Sequence, residues 1–155
     1  MKTILFLAFI SFNLMALDCS KDIAVKKVNE ACSYLQKNGK EILKTKFDFL
    51  LFENCGKNYV WIQDTSDEIK MVFHPIKQRM NNTIVGRQVD ENNYPLFIEF
   101  NKAAKNENQG GWVNYVWPKL GEEKATPKTS FVKLCALNDG TKWVLGSGIW
   151  NSDLK

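Results

Sequence analysis

Histidine is nearly absent from this chain, which has one in 155 residues, His74. A histidine-rich metal centre is thereby excluded, and no Cys-x-x-Cys or Glu-x-x-His spacing supplies another kind. The nucleophile elbow of a hydrolase is missing too, because VLGSGIW places leucine where Gly-x-Ser-x-Gly needs its first glycine. Basic runs never exceed two residues and are interspersed with acids. The net charge of +4 is therefore spread over a mixed surface rather than gathered into a nucleic-acid footprint. Long apolar runs are scarce, and apart from the N-terminal TILFLAFISFNLMAL nothing approaches the roughly 20 residues that a spanning helix needs. Internal repeats and low-complexity segments are absent.

What is present begins with that N-terminal run. Met1-Lys2 gives it a positive start and Asp18 ends it, the pattern of a secretory signal peptide over residues 1–16 with cleavage after Ala16. Asp18, just before Cys19, is the wrong residue for lipoprotein processing. Residues 17–155 then form one domain, expected in the periplasm or secreted, with no membrane insertion after cleavage. Four cysteines, Cys19, Cys32, Cys55 and Cys135, are an even number in an oxidising compartment, which permits disulfides. Cys19 and Cys32 fall on one expected helix, which at ~1.5 Å rise per residue holds them ~20 Å apart and excludes that pair. Pairings with Cys55 and Cys135 stay open, beside the alternative that Cys32 is a buried thiol on the apolar face with Val28 and Leu35.

Hydrophobic spacing organises the rest. Ile23, Val25, Val28, Ala31, Cys32 and Leu35 recur at helical period between a Ser20 or Asp22 cap and the Asn38-Gly39 stop. Residues 40–56 read as a short helix or a packed connector. The period then changes to two in NYVWIQD and KMVFHP, a hairpin across TSDE, and residues 76–90 suit a long surface loop. A second helix is expected in NNYPLFIEFNKAAKNENQGG, capped by Asn92 or Asn93 and stopped by Gly110-Gly111. GWVNYVWP, TSFVKLCAL and KWVLGSGIW are three further strands, the last two joined through a tight turn at NDG. The fold class is α+β, one antiparallel sheet of about five strands. The first helix covers one face, and the second helix with the long loops roofs a cavity on the other.

Alternation puts Tyr115 and Trp117 on one face of their strand and Trp112, Asn114 and Val116 on the other. Tyrosine and tryptophan each pair a large apolar body with a polar handle, which suits either core packing or a dry wall that hydrogen-bonds a ligand. Lys128, after Thr126-Pro127 at the start of the next strand, offers a cation at the rim of that wall. His74, at a strand end before Pro75, can donate a hydrogen bond to a carboxylate without any metal or redox role.

In order and spacing, YVWIQD, MVFHPIKQRMNN, GGWVNYVWPKLG, TPKTSFVKL and WVLGSGIW resemble the bacterial single Cache domain family, extracytoplasmic sensory domains of PAS-like shape. The resemblance covers roughly Ser20 to Trp150. It implies a long N-terminal helix and a five-stranded antiparallel sheet, with a helix and loops covering the ligand face and no cofactor. It also implies a small organic acid as ligand, such as acetate, propionate, pyruvate or lactate. Carried over by position, His74, Tyr115, Trp117 and Lys128 are the ligand-binding elements, with Trp61 and Met80 as walls. Gln78, where a proline is common, and Asn82, where a glycine is common, depart from the pattern in the loop after His74. The output would pass to a separate membrane receptor or sensor kinase, since the chain reads as a free-standing version with no output domain. Two other readings are a structural or interaction module whose aromatics are only core, and a small secreted enzyme using His74 as general base.

Overall fold

The computed structural model describes residues 19–106 and 109–154, so the leader expected over residues 1–16 lies outside the described residues. Alternation in β2 (Asn58–Asp64) sends Val60 and Ile62 to one face of the sheet and Tyr59 and Trp61 to the other, and apolar residues pack on both sides. Two separate cores result, and they divide the work of the fold.

The first core lies under α1 (Lys21–Asn38), whose Val28, Ala31, Cys32 and Leu35 pack on Phe131, Leu145 and Ile149 of the sheet. Gly39, at φ 76°, ends this helix and donates its N–H to the Leu35 carbonyl at 2.8 Å, a left-handed turn that glycine adopts without strain. The ambiguous stretch 40–56 resolves into 3-10 turns at Lys40–Lys44 and Asp48–Leu50 and a two-residue strand, β1 (Leu51–Phe52).

The expected hairpin forms between β2 and β3 (Met71–Phe73), and the remaining strands are β4 (Gly111–Pro118), β5 (Ala125–Ala136) and β6 (Lys142–Trp150). The sheet runs β1-β2-β6-β5-β4 with every pairing antiparallel, and β3 also joins β2, giving six strands where about five were expected. The additional strand is the short β1. Among the described residues no helix is long and apolar enough to cross a membrane.

Two local expectations change. The second helix, α2 (Leu96–Ala104), is capped at Pro95 rather than at Asn92 or Asn93, because Asp90 Oδ1 takes the N–H groups of Asn92 and Tyr94 at 2.8 and 3.0 Å and folds those residues into a turn first. Gly111 already belongs to β4 and so does not stop the helix. The other change concerns β5, which begins at Ala125 and carries Pro127 within it, opposite Val116. Lys128 therefore lies inside a strand and not at its start.

The cysteines pair as Cys19–Cys55 and Cys32–Cys135, with Cα separations of 5.0 and 5.7 Å. The second bond ties α1 to β5 across 103 residues of chain, closing a long loop of the unfolded state. Replacing Cys32 and Cys135 together by serine should lower stability by about 2–5 kcal/mol, measured as the urea unfolding free energy against the native protein.

Candidate ligand site

The second core is mostly aromatic. Tyr59 and Trp61 of β2, Tyr115 and Trp117 of β4, His74 beyond β3, and Leu96, Phe97 and Phe100 of α2 close around a cavity of about 10 Å³, room for at most one water. Phe100 is its hub, meeting Trp61, Tyr115 and Phe97 with ring centroids 4.9, 5.0 and 5.8 Å apart.

Lys128 is 1% exposed, and in the register of the sheet it stands between Tyr115 on one side and Trp150 on the other. Its Nζ lies 3.9 Å from the centroid of the Trp150 ring and 4.6 Å from that of Tyr59. The one hydrogen bond it makes is donated to the Tyr59 hydroxyl at 3.3 Å, and no carboxylate pairs with it among the described residues. Burial first, and then the charge of Lys77, push its pKa well below the usual lysine value. The expectation of a cation at the rim is thus corrected: Pro127 sits within the strand, so alternation turns Lys128 inward. Two glycines make the space. A β-carbon on Gly148 would sit 2.8 Å from Lys128 Cε, and one on Gly146 would overlap the Trp61 ring.

His74 is 3% exposed, its ring 4.6 Å from that of Tyr59. Nδ1 accepts the N–H groups of Lys77 at 3.0 Å and Ile76 at 3.3 Å, which leaves the proton of the neutral ring on Nε2 as a donor. Asn81 holds the same turn by accepting the His74 backbone N–H at 2.6 Å. Burial, aided by Lys128 and Lys77, lowers the pKa of His74 from 6.5 to about 3, so the ring is neutral at physiological pH. Tyr115 bonds Ser130 through their hydroxyls at 2.8 Å, and burial raises its pKa well above 10.

Polar contacts lock the walls. Gln63, fully buried, donates to the Phe97 carbonyl at 2.9 Å and to Asn101 Oδ1 at 2.8 Å, and accepts from Trp61 Nε1 at 3.2 Å, fixing α2 over β2. Asp90 Oδ2 accepts the Val116 N–H at 2.9 Å, fastening the long loop to β4.

Of the residues singled out in the sequence, Trp61, His74, Tyr115 and Trp117 come together around the cavity, and Lys128 lies behind its Tyr59 and Trp61 walls, with Nζ 4.6 and 6.0 Å from those ring centroids. Met80 belongs to the same apolar cluster but borders an outer groove with Lys77, Arg79 and Trp117. Tyr59 and Trp150 were not singled out. Trp61 was placed by the family resemblance, and strand alternation puts Tyr59, two positions earlier, on the same face, so a signal for Tyr59 was present. Trp150 becomes a site residue only through the β5–β6 register.

An antiparallel sheet with one helical face for stability and a roofed aromatic cavity on the other defines a PAS-like sensory domain. The family model of the Cache domain matches residues 18–155, and the chain belongs to the Cache domain family. Cache domains are extracytoplasmic, non-enzymatic sensors, and this chain is a sensory domain, not an enzyme. Over 98 residues it is 30% identical to the methyl-accepting chemotaxis protein McpP of Pseudomonas putida KT2440, a stretch that is 63% of this chain and 17% of McpP. The chain thus spans only a small part of that relative's length. A solved periplasmic sensor domain of a chemotaxis protein superposes with a TM-score of 0.62 at 28% identity, covering 82% of this chain and 92% of that one. A Cache chemosensory domain, solved for the structural basis of its carboxylic acid recognition, gives 0.57 at 26% identity over 82% and 86%. The methyl-accepting chemotaxis protein of Vibrio parahaemolyticus RIMD 2210633, at 22% identity and a TM-score of 0.58 over 86% and 85%, shares the fold.

The two depressed pKa values act in one direction on stability. Between pH 6.5 and about 3 the unfolded chain binds a proton at His74 that the folded chain refuses, so stability is full above 6.5 and falls as pH drops through this window. Lys128, charged in the unfolded chain below its usual value, likewise makes the fold more stable as pH rises toward 10.5. In urea unfolding between pH 7 and 4.5, His74→Gln should show a shallower acid loss than the native protein, by up to about 1.4 kcal/mol per pH unit. Lys128→Met, which removes a buried charge and keeps its volume, should raise stability at pH 7 by about 1–3 kcal/mol.

Proposed function

We propose that this domain captures a short carboxylate, of the size of acetate, propionate, pyruvate or lactate, and reports its presence to a separate membrane receptor or sensor kinase. The observation that carries this reading is Lys128: an amine wholly enclosed, bounded by rings, with a single hydrogen bond to a tyrosine hydroxyl and no carboxylate beside it among the described residues. Burying an unpaired charge is costly, and an anion delivered to Nζ removes that cost. The neighbouring groups suit a carboxylate. His74 offers a neutral Nε2–H and Tyr59 a hydroxyl, so the head group meets donors of one kind while a short tail rests against the rings of Trp61 and Phe100.

With about 10 Å³ of free space, the cavity admits an acid only as the rings yield and the Tyr59 hydroxyl gives up Lys128. Capture is then coupled to movement of β2 and α2 side chains, a change that a partner can read. The carboxylic acid recognition of the similar Cache chemosensory domain supports the ligand class. Export by a leader over residues 1–16, and a site of action in the periplasm, complete the proposal.

Thermal denaturation of the purified protein with millimolar acetate, propionate, pyruvate and lactate tests it, since a ligand that binds only the folded state raises the Tm. At least one acid should raise the Tm dose-dependently in the native protein and fail to do so in Lys128→Met. A flat response to all four acids would sink the carboxylate reading.

A further inference from the structure

Outside the cavity lies a groove of open surface that carries several cations. Lys77, Arg79 and Lys119 line it beside Tyr59, and Glu122 is the acid among its walls. Lys119 is taken by Asp153, at 2.6 Å. Lys77 and Arg79 pair with no carboxylate among the described residues.

The groove and the cavity share a wall. Tyr59 borders both, and Trp117 borders the cavity on one side and a second groove, holding Lys77 and Arg79, on the other. Lys77 stands where the two grooves meet, half-buried, with Nζ 4.0 Å from the centroid of the Trp117 ring. Its position is fixed from inside, because its N–H is bound to His74 Nδ1 at 3.0 Å. Other sides of the cavity are closed by α2, with Leu96, Phe97 and Phe100, and by the sheet.

Depth orders the cations: Arg79 is exposed, Lys77 is half-buried and Lys128 is fully buried. Each senses the next, since burial and then the charge of Arg79 lower the pKa of Lys77, and burial and then the charge of Lys77 lower that of Lys128. Three like charges at graded depth, none paired with a carboxylate among the described residues, form a potential that deepens inward for an anion and repels a cation.

We propose that this groove is the entrance of the ligand cavity, that Arg79 and Lys77 draw small organic anions along it, and that Tyr59 and Trp117 form the door. The inference rests on the carboxylate reading of the cavity. An acid is held first in the open groove by Arg79 and Lys77, and passes inward when the Tyr59 hydroxyl leaves Lys128. Amines and other cations are turned away at the same place, so the entrance filters by charge before the cavity selects by size.

The cavity contains Trp61 and Trp117, so stopped-flow tryptophan fluorescence follows capture directly. Acetate, propionate, pyruvate and lactate would each be mixed with the native protein, Arg79→Gln, Lys77→Gln and, as a control of equal charge change on the far side of the sheet, Lys26→Gln. For the acid that binds, association should slow roughly three- to tenfold in Arg79→Gln and Lys77→Gln, with a weaker dependence on salt, while dissociation from Arg79→Gln is unchanged. Lys26→Gln should leave association within twofold of the native rate. Because Lys77 also packs on Trp117, Arg79→Gln carries the decision. An unchanged association rate in Arg79→Gln, or an equal loss in Lys26→Gln, overturns the entrance while the cavity reading stands. No fluorescence or Tm response to any of the acids defeats the cavity reading, and the entrance with it.

Discussion

A lysine side chain enclosed by Trp150, Tyr59 and Trp61, with no carboxylate beside it among the described residues, is the constraint around which the rest of this protein is arranged. A charge so placed is tolerated only when its surroundings leave no easier arrangement, and several features contribute. Pro127 within β5 keeps the chain extended before it, Gly148 leaves the space its stem fills, and the rings present their negative faces to the ammonium. His74 stays neutral beside it, because a second buried charge of the same sign would add to the cost.

That local expense is carried by the other side of the sheet. There α1 lays an aliphatic stripe on β5 and β6, the Cys32–Cys135 bond fastens helix to strand, and Lys133 donates to Asn29 at 2.8 Å. The division follows from the pleat. Residues of one parity along each strand build an ordinary core, and residues of the other parity are free to build a site. Destabilised sites borne on stable frames are common where a protein must respond to a ligand, because the binding event then has strain to relieve. Gln63 and Asn101 extend the frame to the roof, so that α2 is held over the cavity on a fixed mount.

Much of this architecture was legible in the residues. Helical spacing from Ile23 to Leu35, the change to period two at Asn58, and the turn at Asn138-Asp139-Gly140 each express a local preference that the tertiary structure does not oppose. Boundaries were less legible where a side chain intervened. Asp90 captured the N–H groups that would have made Asn92 or Asn93 a cap, and the short β1 exists only because β2 lies beside it. In the site, His74, Tyr115 and Trp117 could be named from alternation and from the His-Pro and Tyr-x-Trp-Pro motifs, and Trp61 from the family resemblance, whereas Trp150 could not. Its membership depends on which residue of β6 faces Lys128, and register is a property of two strands together.

The sequence by itself determined the order of the principal helices and strands, the antiparallel class and the opposite faces taken by Tyr115 and Trp112, since these follow from periods along one stretch of chain, whereas Cys19 precedes α1 and its separation from Cys32 does not rest on the rise of one helix. Only the tertiary structure decided that the cysteines pair as Cys19–Cys55 and Cys32–Cys135, that Lys128 is buried without a carboxylate among the described residues rather than at a rim, and that Lys77 and Arg79 line a groove beside Tyr59. Those facts depend on distances between residues far apart in the chain, and on whether a counter-charge happens to lie near. Local spacing carries no information about either.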